Sequence, residues 1–432
     1  MDLYDSLVRW NLWGTWKLPA SFMREDTSTI CRYVEPEEVV ALIGPRRAGK
    51  STILYQVMQY LLDNGVSERE ILHINFEEPG LSPLLKLDLL DKLYDTYRSK
   101  VLPKGKVFVF LDEIQNIPAW ERWVRARNDT EDIKIFLTGS SSALLSGELA
   151  TALRGRNFCF NVYPLSFREM LQFKKIEIPS EPFTNRTPPE IDYALNEYLT
   201  WGGFPRVVLA KSDEERERIL RRYFDEILFK DIVQRYEIRN EMALRNIAIH
   251  LLTNTSTLIT YKRLADIFQV SQDLALSYVS YLKEAFMVST LDFYSLKASE
   301  RVRNPLKVHA IDLGLRKIAS LSASKDETKL IETQVHNALL RYQENDLYYW
   351  KGAGEIDMLT QKGGVVTALY QVAYAGLDRE NVERREFGGL QQAMEKFPHA
   401  SASLITWSLD DKINENKYPD ISVKPLWHFL LG

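Results

Sequence analysis

The sequence predicts an α/β protein whose first domain is a doubly wound parallel sheet, followed by a helical region, a winged-helix region and an α+β tail. Three observations carry that expectation. Short apolar runs alternate with helical patterns from residue 38 onward. The runs are continuous rather than alternating, as in strands covered on both faces by helices. A glycine-rich turn, Gly44-Pro45-Arg46-Arg47-Ala48-Gly49-Lys50-Ser51, joins the first run to the first helix.

Each element has its own reason. Val39-Val40-Ala41-Leu42-Ile43 opens the sheet, and residues 51–64 place apolar side chains at helical spacing before stopping at Gly65. Further strands are expected at 71–76, 107–111 and 133–138, completing a domain over residues 38–165. Residues 1–37 form an aromatic segment in which Trp10, Trp13 and Trp16, three residues apart, share one helical face and are expected to pack on a neighbouring domain, stacking on an adenine being the alternative. Residues 166–240 read as a helical lid broken at Gly202-Gly203-Phe204-Pro205. Residues 241–305 read as a winged helix. The tail, 306–432, reads as a strand, a helix at 331–343, and strands near 347–350, 355–360 and 366–374.

At 432 residues the chain is too long for one core, and two or three domains are expected. Its composition, 45% hydrophobic and 26% charged, is that of a globular protein. A net charge of −4 excludes a global basic field, so any nucleic-acid surface is local. Two cysteines, Cys31 and Cys159, build no disulfide framework and fit a reducing cytosol. No apolar run reaches the roughly 18–20 residues of a membrane span, and the start lacks a signal peptide's basic and apolar regions. The expectation is a cytoplasmic protein without a membrane partner.

The turn at 44–51 matches GxxxxGK[ST] in full and lies between a strand and a helix, the context this pattern needs. Glycine lets the backbone turn tightly, so that successive N–H groups wrap a phosphate. The helix behind it aims its positive end at the same group. Gly44, Pro45, Arg46, Arg47, Ala48, Gly49, Lys50, Ser51 and Thr52 are therefore the candidate nucleotide-binding residues. Lys50 is expected to reach the β/γ oxygens, and Ser51 to ligate Mg²⁺. Arg46 and Arg47 are expected to bind phosphate or an acidic neighbour.

Val107-Phe108-Val109-Phe110-Leu111-Asp112-Glu113 supplies the partner. A strand ending in two acids puts both at the carboxyl edge of the sheet, where ligands sit in such folds. Asp112 is expected to hold the metal, and Glu113 to act as base toward the attacking water. After the fourth strand, Ser140 is the first candidate to contact the γ-phosphate or that water and Thr138 the second, with a plain helix cap as the alternative. In Leu153-Arg154-Gly155-Arg156, Arg156 or Arg154 is the candidate arginine finger on a neighbouring subunit's site, a surface ion pair being the alternative.

Together GPRRAGKS, VFVFLDEIQNIPAWE, IFLTGSSSALLSGELATALRGR, YPLSFREML and WGGFPRVVL resemble the prokaryotic AAA+-type ATPases common in archaea, over roughly residues 35–375. The carboxyl-terminal region of that family is a domain of unknown function with a restriction-endonuclease-like core. The resemblance implies an AAA+ fold, ATP and Mg²⁺ as cofactors, and a homo-oligomer, such as a trimer or hexamer, with arginines acting across subunits.

In the winged-helix region, residues 259–268 form a first helix with Leu264, Ile267 and Phe268 inward. Residues 269–271 turn, and 272–285 form a second helix with Leu276, Val279 and Leu282 inward. The second helix is only weakly basic, so the module either contacts DNA or serves as an oligomerisation or lid module; Lys262, Arg263, Lys297, Arg301 and Arg303 are the candidate phosphate neighbours, or else a solvated basic face. In the tail, a nuclease of this type needs an acid on the helix (Glu332), an Asp on a strand (Asp357) and Glu-x-Lys on the next, where Gln371 and Ala373 stand instead. Nuclease activity is not expected. Two functions follow as expectations: an oligomeric ATPase coupled to DNA, or a nucleotide-controlled switch assembling protein partners.

Overall fold

Residues 1–163 and 164–432 form two separate units in the computed structural model, which describes residues 3–141, 155–180, 187–320, 326–342, 345–352, 354–374, 386–407 and 418–432. In the first unit, helices α1 (Leu3–Trp10) and α2 (Glu25–Cys31) precede strand β1 (Val39–Ile43) and helix α3 (Lys50–Asp63). Then come β2 (Ile71–Asn75), α4 (Leu87–Lys100), β3 (Val107–Asp112), α5 (Trp120–Thr130), β4 (Ile133–Gly139) and β5 (Asn157–Asn161). All pairings are parallel, in the order β2-β3-β4-β1-β5. Every residue of β1, β3 and β4 is buried, which is what their unbroken apolar runs dictate. Phe110 and Phe136, in register on adjacent strands, stack with centroids 4.8 Å apart, a contact worth about 1 kcal/mol beyond its burial.

β5 is the strand of this unit that the sequence reading did not find. Its residues, Asn-Phe-Cys-Phe-Asn, are all half-buried at a sheet edge, and such a strand shows no continuous apolar run.

The tryptophans do not share one helical face, because α1 ends at Trp10 and the chain then turns. They pack within their own unit. Trp13 donates to the Ile71 carbonyl at 3.1 Å, and Trp16 stacks on His73 with centroids 5.4 Å apart. Asn11 binds both the N–H and the carbonyl of His73, extending the β2 edge with a side chain. Burial lowers the His73 pKa to about 4, against the usual 6.5, because an imidazolium there would lose its water.

The second unit carries an eight-stranded sheet: β6 (Thr257–Ile259), β7 (Val288–Phe293), β8 (Leu306–Ala310), β9 (Asp346–Lys351), β10 (Glu355–Lys362), β11 (Val365–Ala373), β12 (Ser401–Thr406) and β13 (Ile421–Pro425). The order is β13-β12-β11-β10-β9-β7-β8-β6. The expected boundary at 305/306 falls inside this sheet: β8 pairs with β6 and β7, and β7 pairs onward with β9. The edges of short strands need partners, and the β7–β8 pair supplies one to β9.

Helices Tyr261–Phe268 and Gln272–Glu284 flank the turn expected between them, capped by Thr260 and Ser271. Their inward faces are partly misassigned. Leu264, Val279 and Leu282 are buried, but Ile267 and Leu276 are each 47% exposed, while Ala275 and Tyr278 fill the core instead. Among the described residues, no helix is long and apolar enough to cross a membrane.

His73 gives a pH prediction. A histidine pKa lowered on folding contributes stability above the unfolded value near 6.5 that is lost as pH falls through about 4. Acidification across that window is expected to remove about 3 kcal/mol and loosen the tryptophan segment. Tryptophan fluorescence of the wild type should change within it, and the change should vanish in His73→Phe; an unaltered profile in the variant would refute this.

Candidate nucleotide site

The carboxyl ends of β1, β3 and β4 deliver the candidate residues to one edge of the sheet. The loop after β1 has room for glycine alone at its start: a Cβ on Gly44 would stand 1.9 Å from the Val162 carbonyl oxygen. Gly49 adopts φ +103°, a left-handed conformation that costs glycine nothing, and hands the chain to α3 at Lys50. With no side chain to cap it, the amino end of this 14-residue helix keeps its N–H groups for an anion.

Lys50 is buried, and its ammonium donates to the Gly44 and Pro45 carbonyls at 3.0 and 3.1 Å. It also lies 3.3 Å from Glu113 Oε1. Arg46 pairs with Glu77, the acidic neighbour the sequence left open, and Arg47 holds φ +68°. Ala48 is fully buried and Thr52 half-buried in the first turn of α3.

Asp112 ends β3, and the Ser51 hydroxyl stands close enough to act against the rise in its pKa. Thr138 donates to Asp112 Oδ1 at 2.5 Å and accepts the Glu113 N–H at 2.8 Å, so one hydroxyl fixes both acids. Burial first, and the Glu113 charge second, raise the Asp112 pKa to about 6. Glu113 goes the other way. Burial alone would raise it, but Lys50 and Arg46, with hydrogen bonds from Gln115 and Lys50, hold it below the usual carboxylate range. It sits at φ +56°, which turns it off the strand toward Lys50.

Ser140 accepts from Gln115 at 3.1 Å, and the same amide donates to Glu113 at 2.5 Å. Gln115 thus ties Ser140 to Glu113, a link that sequence reasoning missed. Arg24 was missed as well. Its fully buried guanidinium donates to the Ala48 carbonyl at 2.6 Å and to the Tyr163 carbonyl at 2.9 Å, bracing the loop from behind. A lone arginine in a polar stretch gives no periodic signal.

Arg156 is not brought to this edge. Its carbonyl accepts from Val39 N at the start of β1, so the length of that strand, roughly 16 Å at ~3.3 Å per residue, separates it from its own phosphate loop. Its side chain is 67% exposed and meets Asp129 at 2.9 Å. Arg154 lies outside the described residues.

The donor set fits a magnesium-bound triphosphate. A hydroxyl and a carboxylate close together, Ser51 and Asp112, are the hard oxygen ligands Mg²⁺ takes, and the loop amides, the helix end and Lys50 suit phosphate oxygens.

In the second unit, Glu332 and Asp357 do converge, but on Lys307 of β8: its ammonium lies 2.5 Å from Glu332 and 3.0 Å from Asp357. Burial alone would lower the lysine's pKa; the Asp357 and Glu332 charges reverse this and hold it above its usual value. Gln371 accepts the Asp357 N–H at 3.2 Å and donates to Glu386, and Ala373 is buried. The cation missing from β11 is present from another strand, which no local motif announces.

A family described as "AAA domain" matches residues 36–171, and one described as a domain of unknown function matches residues 192–353. The uncharacterized protein MJ1544 of Methanocaldococcus jannaschii is 32% identical over 413 residues, 92% of this chain and 89% of that one. An uncharacterized protein of Haemophilus influenzae is 28% identical over 352 residues, 80% of this chain and 84% of that one. Among solved structures, the Walker-type ATPase of Pyrococcus abyssi aligns over 69% of this chain and 96% of its own, at 15% identity and a TM-score of 0.45.

The Thr138 bridge is directly testable. Thr138→Val strands a buried N–H and a buried carboxylate oxygen, at a cost of about 1–3 kcal/mol. Thermal unfolding is expected to shift down in Thr138→Val and to stay near wild type in Thr138→Ser, which keeps the hydroxyl. Equal melting of all three would remove the bridge from the site.

Proposed function

We propose that this chain, which belongs to the family of the Methanocaldococcus jannaschii protein MJ1544 and has an AAA domain in the fold of P-loop AAA+ ATPases, hydrolyses ATP with Mg²⁺ and couples this to nucleic acid. The observation that carries the reading is the position of Lys50, between the phosphate loop and Glu113 and beside the Ser51–Asp112 pair.

In this reading Ser51 and Asp112 hold Mg²⁺, which neutralises charge on the phosphate oxygens when bound. Loop amides 44–52 bind and orient the phosphates. Lys50 exchanges its carbonyl and carboxylate partners for phosphate oxygens, which frees Glu113. Glu113, held ionised by Lys50 and Arg46 before nucleotide binds, is then the group placed to accept a proton from attacking water. Gln115 and Ser140 keep its carboxylate oriented. Arg156, remote from its own loop, acts only on a neighbouring subunit's site, which makes the working form a homo-oligomer.

Lys50→Ala is expected to lose tight nucleotide binding, and Glu113→Gln to bind ATP while turning it over at least a hundred-fold more slowly. Normal turnover in Glu113→Gln would unseat the base. Arg156→Ala alone should be inactive yet regain turnover when mixed with Lys50→Ala, since mixed assemblies rebuild one complete site. Mixtures that stay dead, or an active single variant, would reduce Arg156 to a surface partner of Asp129.

One observation favours a second reading, a switch that assembles protein partners. Ile267 and Leu276 expose apolar surface on the helix-turn-helix, where a DNA reader carries polar and basic residues. ATPase rates with and without DNA separate the two: several-fold stimulation supports nucleic acid, and an unchanged rate supports the switch. No metal-dependent hydrolysis is proposed for the second unit, where Lys307 stands between Glu332 and Asp357. DNA incubated with the protein and Mn²⁺ is expected to remain intact.

A further inference from the structure

The second unit holds a cleft of about 550 Å³ that the ATPase chemistry does not use. Its wall is aromatic. Tyr294 and Trp350 each meet Phe397 edge to face with centroids 5.5 Å apart. Leu296, 83% exposed, and Val365, 55% exposed, extend that apolar surface into water.

Its rim is cationic. Lys297, Lys396 and His399 line it, and Glu300, the one acid among the lining residues, is paired with Lys297 at 3.1 Å. The short helix Ala298–Arg303 continues from Lys297 and carries Arg301 and Arg303 just beyond the lining residues. Among the described residues no ion pair engages Lys396, Arg301 or Arg303. Three of the cations are those the sequence singles out as phosphate neighbours; of the aromatic wall, Tyr294 just precedes them in the chain, whereas Trp350 comes from β9 and Phe397 from the end of the helix Gly388–Lys396.

Half-buried aromatic rings beside exposed aliphatic surface and cations are the chemistry that takes bases by stacking and their phosphates by charge. A duplex keeps its base faces inside the stack, whereas a single strand offers them. An apolar peptide would leave the cations without partners. The volume is that of a small-ligand site, enough for a nucleotide or two.

We propose that this cleft binds single-stranded nucleic acid, with a base against Trp350, Phe397 and Tyr294 and the flanking phosphates on Lys396, Arg301 and Arg303. The proposal deepens the nucleic-acid half of the functional reading above and rests on it, while remaining independent of ATP hydrolysis.

The test is fluorescence anisotropy of the full chain with a labelled oligothymidylate of about a dozen residues, a length typical of such sites. Saturable binding is expected, weakening with salt at about −0.7 in log K per phosphate contacted. Lys396→Glu and Arg303→Glu, both exposed and foreign to the core, are each expected to weaken it about ten-fold, and Trp350→Leu comparably. Lys50→Ala should bind the oligonucleotide like wild type while failing to bind ATP, so that the two readings fail separately. Unchanged affinity in both charge reversals would overturn the proposal. So would tighter binding of a duplex of equal length, or displacement of the oligonucleotide by inorganic polyphosphate at equal charge, since either leaves the aromatic wall idle.

Discussion

The Lys50 ammonium is the group on which the first unit's arrangement depends. A buried cation must be surrounded by oxygens, and here they come from the loop that carries it and from the acid across the sheet edge. Each partner is in turn fixed by something else. Gly44 lets the loop pass Val162, Arg24 holds the Ala48 carbonyl, Thr138 pins the Glu113 backbone, and Gln115 takes its carboxylate. The result is a site whose cation is satisfied by the protein and whose partners are the same kind of oxygen a triphosphate presents. Exchange of one set for the other keeps the ammonium bonded to oxygen throughout.

The two acids at the end of β3 differ because their surroundings differ. Asp112 is buried beside another carboxylate and is pushed up to about 6; Glu113 has Lys50 and Arg46 within reach and is held down. Adjacent residues with pKa values driven apart suit distinct work, and the proposed mechanism uses Asp112 as a metal ligand beside Ser51 and Glu113 as the base. Thr138 serves both by donating to one and accepting from the other.

How much of this the sequence disclosed follows from how local each signal is. The phosphate loop, β1, β3 and the Asp112–Glu113 pair are contiguous stretches whose chemistry depends on near neighbours, and they stand where the spacing puts them. β5 escaped because an edge strand with half-buried residues has no apolar run, and Arg24 and Lys307 escaped because their partners lie far away in sequence. Ile267 and Leu276 were turned inward because a helical wheel sorts residues by type, whereas the fold buried Ala275 and Tyr278 on the neighbouring stripe. The split at 305/306 failed for a related reason: strand pairing between β7, β8 and β9 is a long-range property invisible to a pass along the chain.

The most direct measurement is a structure of the protein with Mg²⁺ and a non-hydrolysable ATP analogue. The predicted result has Lys50 Nζ moved from the Gly44 and Pro45 carbonyls and Glu113 onto phosphate oxygens, with the metal between Ser51 and Asp112. A complex in which Lys50 keeps its present partners, or in which the analogue lies away from residues 44–52, would contradict the reading at its base.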